Sequence, residues 1–141
     1  MKPARSLLAL TTLVGVRERE IDRKKADMAD KAALRARYVG NISRLDALAQ
    51  APVPVVCAET AVNASAYRQA VVDMANRHKQ ELAVHELDMD ASRVELVQAS
   101  RRCEVLTQVL VRQRQMHAKV ARSKEQKRQD DIAAQVWRRG S

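Results

Sequence analysis

After Gly40 the chain meets one clear break in its helical pattern before Gly140, the segment Ala51-Pro52-Val53-Pro54, and no other feature limits the possible folds so strongly. Each proline removes a backbone donor and drives the residue before it out of the helical region. Long runs of Ala, Leu, Val, Arg, Lys, Glu and Gln on either side favour helix, and three Gly and three Pro in 141 residues leave little material for further turns. With no Phe, one Trp and two Tyr, the chain lacks the bulky side chains that fill a thick globular core. The sequence therefore predicts an all-α fold, a long two-helix antiparallel coiled-coil hairpin in which the second helix is longer than the first.

Heptad spacing supports the same reading. Leu7, Val14, Ile21, Met28, Arg35, Ile42 and Ala49 recur every seventh residue, with Leu10, Arg17, Lys24, Lys31, Tyr38 and Leu45 between them. The second stripe runs Ala75, Leu82, Met89, Leu96, Cys103, Leu110 and His117, alternating with Val71, His78, His85, Ser92, Ala99, Leu106, Gln113 and Val120. One domain over 1–141 is expected, with a helix over 6–49 capped by Ser6, a connection over 50–62, a helix over 63–136 capped by Thr60 or Asn63, and a tail over 137–141. A turn centred near residue 56 sets His78 and His85 near Lys24 and Lys31, so that both seams are polar in their middle. It also leaves the second helix without an internal partner from about residue 106 onward.

Charge is uneven. Residues 1–50 carry 11 Lys/Arg against 6 Asp/Glu, residues 51–100 carry 4 against 7, and residues 101–141 carry 11 against 4. A hairpin gathers the two basic ends into one positive pole suited to an acidic protein surface, a nucleic acid or an anionic membrane. The basic run from Arg101 to Arg128 lacks aromatic interleaving and a recognition-helix fold, so a protein partner accounts for it with less machinery than nucleic acid. Polar residues interrupt the apolar face after Val120, which argues against a membrane-surface helix.

Chemistry-bearing motifs are missing. The chain has no glycine-rich phosphate loop, paired-Cys zinc pattern or nucleophile elbow, so the expectation is a protein with no catalytic residues, cofactor, metal or small-molecule substrate. His78 and His85 stand two turns apart, about 10 Å, too far to share one ion unaided. Glu86, Asp88 and Asp90 lack the glycine turn and closing Glu of a calcium loop. Cys57 and Cys103 have no metal-ligand spacing and are expected as free thiols in a reducing compartment, the cytoplasm. The N-terminal Met-Lys-Pro-Ala-Arg and the apolar run from Leu7 to Val16 imitate a signal peptide, but Arg17-Glu18-Arg19-Glu20 follows with no small-residue cleavage site.

Several features together resemble a known family: Leu7-Leu8-Ala9-Leu10 leading into a charged helix, the mid-chain break, and Arg122-Ser123-Lys124-Glu125-Gln126-Lys127-Arg128-Gln129-Asp130-Asp131-Ile132-Ala133 near the end of the second helix. The chain resembles the FliJ proteins of the flagellar type III export apparatus, together with their injectisome relatives of the YscO type. That resemblance implies a cytoplasmic stalk peripherally associated with the inner-membrane apparatus, similar to the paired helices of the rotary ATP synthase gamma subunit. Its partners would be the hexameric export ATPase, the cytoplasmic linker of the export-gate membrane protein, and export chaperones. The gate contact would fall on Tyr67, Val71, Met74 and His78, and the ATPase contact on Leu7, Leu10, Val14, Leu106, Leu110, Arg114 and Arg122. The competing readings are a homodimeric coiled-coil scaffold and a basic nucleic-acid-associated helical protein.

Overall fold

The structure, a computed structural model, describes residues 2–140, with side chains from Arg5 onward. It contains two helices, α1 (Lys2–Gln50) and α2 (Ala58–Gly140), of 49 and 83 residues, and no strand among the described residues. α1 begins at Lys2, so Ser6 lies within it and does not cap it. Pro3 falls in the first turn, where its missing N–H costs nothing. α2 runs to Gly140 through most of the expected tail, and Ser141 lies outside the described residues.

The connection is 51–57, shorter than the expected 50–62. Cys57 occupies the N-cap of α2, its carbonyl accepting from the Ala61 N–H at 3.0 Å. Three residues into the cap, the Thr60 hydroxyl oxygen accepts from the N–H groups of Val56 (3.1 Å) and Cys57 (2.9 Å), the return half of a capping box. Thr60 thus helps to cap the helix from inside its first turn, and Asn63 lies beyond the cap.

The two helices contribute to two compact units. Unit 2 comprises 21–98, and in it α1 and α2 run antiparallel and are tied by Lys24–Glu95, Lys31–Asp88, Arg35–Glu86 and Asp46–Lys79. The paired numbers add to 119, 119, 121 and 125, well above the 112 expected from a turn at residue 56. The connection explains the shift. With Gln50 level with about residue 71, the chain must travel back past some 13 residues of α2, about 20 Å, in eight residue steps. Only a nearly extended segment does that, and Pro52 and Pro54 disfavour the helical region for Ala51 and Val53. Ala51 and Val53 are half-buried, as are Thr60, Ala61 and Ala64 of the first turns of α2.

Val71, Ala75 and Met89 form the buried positions of unit 2. Unit 1, comprising 1–20 and 99–141, is also an antiparallel pair, with Val14, Cys103 and Leu110 buried. Among the described residues, all six that are buried belong to the heptad stripes. Leu7, Leu10, Leu106 and His117 are half-buried, and every residue from 118 to 140 is exposed. The uncovered part of α2 therefore starts near 118, twelve residues beyond the expected 106, because the register shift supplies α1 partners to the intervening turns.

Candidate protein-binding surfaces

In unit 2 the middle of the seam is a polar layer. Lys31 Nζ lies 2.8 Å from Asp88, 3.4 Å from Asp27 and 2.7 Å from the Ser92 hydroxyl. The Asp88 hydrogen bond, opposed in part by desolvation, raises the Lys31 pKa; the same bond holds the Asp88 carboxyl below its ordinary value. His85 Nε2 is 2.8 Å from the Lys31 carbonyl, and since a carbonyl only accepts, this nitrogen carries the proton. Tyr38 packs between the two imidazoles, its ring centroid 6.1 Å from His78 and 5.9 Å from His85. His78 Nδ1 is 3.3 Å from Glu81, near enough for charge attraction when the ring is protonated but without a hydrogen bond's alignment. The expected pairing of both lysines with both histidines is thus only half realised: Lys31 meets His85, whereas Lys24 reaches Glu95 and His78 meets Tyr38.

The proposed gate stripe divides between seam and surface. Val71 is 8% exposed and His78 half-buried, while Tyr67 and Met74 are each 49% exposed. Tyr67 stands on turns of α2 past the end of α1. Val62 is exposed on the same turns, and Leu48 of α1 is also exposed.

Of the residues expected to contact an ATPase in unit 1, Val14 and Leu110 are consumed by the seam, at 6% and 4% exposure. Leu7, Leu10 and Leu106 show one edge. Arg114 and Arg122 are exposed, and Arg114 donates to the Thr11 hydroxyl at 3.5 Å. The sequence reading missed a groove of about 380 Å³ lined by Arg17, Glu20, Ala99, Arg102, Val105 and Leu106. It exists because Arg17 holds an inward heptad position yet turns out to Glu20 at 2.8 Å, opposite the short side chain of Ala99. An Arg in one stripe and an Ala in the other were visible signals, but only the true register sets them together.

Charge separates the units. Unit 2 contains 11 Lys/Arg and 11 Asp/Glu, leaving 15 and 6 in unit 1, so the entire net charge of +9 belongs to unit 1. Its uncovered segment adds an apolar patch of Ile132, Val136 and Trp137 beside Arg138 and Arg139.

Both cysteines are free, Cys57 exposed and Cys103 buried. Hydrogen bonds from the Thr60 hydroxyl and backbone at the helix N-terminus lower the Cys57 thiol below the ordinary 9.0. Cys57 should therefore react with a disulfide reagent near neutral pH, faster than a free thiol of equal exposure. Cys103 should react only on unfolding, and Thr60→Ala should slow Cys57 alone; stopped-flow thiol titration against pH checks all three outcomes.

No group of three or more His, Cys, Asp or Glu side chains able to hold a metal occurs among the described residues, and no described helix is long and apolar enough to cross a membrane. Two antiparallel helices joined by a thin heptad seam, with the net charge gathered in unit 1, define a coiled-coil protein. The sequence model of the FliJ family, described as the flagellar FliJ protein, matches residues 6–141. The chain belongs to the FliJ family and is a flagellar export-related protein. No curated protein and no solved structure matches it significantly.

Proposed function

We propose that this chain is a non-enzymatic stalk of a type III export apparatus, which places unit 1 inside the export ATPase ring and links that ring to the export gate. The observation that carries the reading is the confinement of the whole net positive charge to the unit whose α2 segment is uncovered. A basic pole with bare helix suits the lumen of a ring whose wall is acidic. In unit 2, Tyr67 and Met74 offer the gate linker an exposed apolar edge, and Val71 and His78 fix the helix face that presents it. The protein works in the cytoplasm, peripherally at the inner membrane, and its remaining exposed helix is available to export chaperones.

Purified export ATPase should bind the chain at low salt and show altered ATPase activity or ring formation. Because the Debye length shrinks from about 10 Å at 0.1 M salt to about 3 Å at 1 M, affinity should fall steeply as salt rises. Arg114→Glu with Arg122→Glu should weaken binding at least tenfold without loss of helicity. An ATPase indifferent to the wild-type chain would refute the stalk. Light scattering that showed a stable dimer, lost on truncating 118–140, would favour the homodimeric scaffold instead.

A further inference from the structure

The groove in unit 1 has no role in the seam itself. Heptad packing would place a large apolar side chain at position 17, its end inserted among residues of α2. Arg17 withdraws from that space to pair with Glu20, and Ala99 is too short to fill it from the other side. The walls that remain are the Ala99 methyl, Leu106, Val105 and the aliphatic stem of Arg102. Val105 is 60% exposed, so the groove opens to the surface.

Its rim is cationic. Glu20 is held by Arg17, Arg102 lines the opening, and Arg101 adjoins it in sequence, all within the unit that carries the whole net charge of +9. A knob inserted here completes a layer that the two helices leave unfinished. Any carboxylates beside the knob meet arginines able to form charge-assisted pairs.

We infer that this groove is a receptor for one large apolar side chain carried on an acidic helix of the ring partner, with Arg102 and Arg17 pairing to carboxylates that flank it. The inference rests on the stalk reading and adds to it the chemistry of the element that docks. The groove holds the partner in register, whereas the dispersed charges of the pole only attract it. Binding through the groove is the part of the interaction that high salt does not remove.

Ala99→Leu fills the groove from within and tests the inference directly. The variant should melt at a higher temperature than wild type by circular dichroism, because the seam gains a layer, yet bind the purified export ATPase at least tenfold more weakly. Arg102→Glu, on the exposed rim, should weaken binding at least tenfold with its melting temperature unchanged. It keeps the test open if leucine at 99 distorts the pair.

A photo-cross-linker at position 105 should capture an ATPase peptide that has a large apolar residue within one turn of Asp or Glu. Folded Ala99→Leu that binds as wild type would overturn the groove as receptor. A captured peptide without carboxylates, or Arg102→Glu that binds normally, would overturn the acidic partner. Failure of the wild-type chain to bind the ATPase at all would instead remove the stalk reading, and the inference with it.

Discussion

Leu110→Ala should destabilise unit 1 by about 3 kcal/mol, within the range of about 2–5 kcal/mol for deleting a buried leucine side chain. Leu110 is 4% exposed and, among the described residues of its unit, is buried together with Val14 and Cys103. A seam one layer thick has no outer layer to collapse into the space. The facing segment of α1 also has little helical stability of its own. Thr11, Thr12 and Val14 are β-branched, Gly15 follows, and the threonine hydroxyls donate back to the carbonyls of Leu7 and Leu8 at 2.8 and 3.0 Å. Such a segment remains helical through packing. Hydrogen exchange should therefore speed up across residues 5–16 and 103–114 in the variant, while Val136→Ala, on the uncovered part of α2, changes stability by less than about 0.5 kcal/mol. A loss below about 1 kcal/mol for Leu110→Ala would mean that the seam does not hold this segment.

The seam was legible in the sequence because heptad spacing translates directly into burial on a helix pair. Val14, Ala75, Met89, Cys103 and Leu110 all lie on the seven-residue stripes read from the chain, and Val71 lies on the alternating set. Register was not legible in the same way. It depends on the conformation of 51–57, since an extended residue advances about 3.3 Å and a helical one about 1.5 Å. Treating the connection as a symmetrical turn displaced the cross-helix ion pairs by a heptad or more, although His85 does meet Lys31. It also began the uncovered segment at 106 instead of 118.

Both proline restrictions were present in the sequence, and their effect on register follows from them once the extended path is measured against α2. The groove depended on the same knowledge, because Arg17 and Ala99 stand out only when they face each other. Cys57 as an N-cap had a weaker signal, since cysteine is not among the usual capping residues; the telling residue was Thr60, three positions on. The residues of the expected gate stripe divide between surface and seam, because exposure of Tyr67 and burial of Val71 follow from where α1 ends.

The polar layer of unit 2 yields the second large effect, with opposite sign. Lys31→Leu combined with Ser92→Leu should raise the stability of unit 2 by about 2 kcal/mol, because two half-buried leucines would each contribute about half of the 1.5–3 kcal/mol of full burial. Little is lost in exchange. Asp88 and Asp27 are 58% and 57% exposed and remain hydrated without the lysine, and the His85 bond goes to a backbone carbonyl that the substitution keeps. The pH profile should change as well. Lys31 has a raised pKa, so its contribution is present below the ordinary 10.5 and disappears as pH climbs through the raised folded value. Asp88 has a lowered pKa, so its contribution is present above the ordinary 3.8 and disappears as pH falls through the lowered folded value. Wild type should therefore have a stability plateau bounded at both ends by this pair, and the double variant should lose the alkaline edge due to Lys31 and weaken the acid edge due to Asp88. Thermal melts from pH 3 to 11 give both edges. Amide exchange over residues 24–38 and 78–92 decides whether the polar layer loosens the pair: these amides should exchange faster than those around Ala75 in wild type and slow markedly in the double-leucine variant. Equal exchange rates in the two proteins would show that the lysine and serine hold the helices as firmly as leucines do.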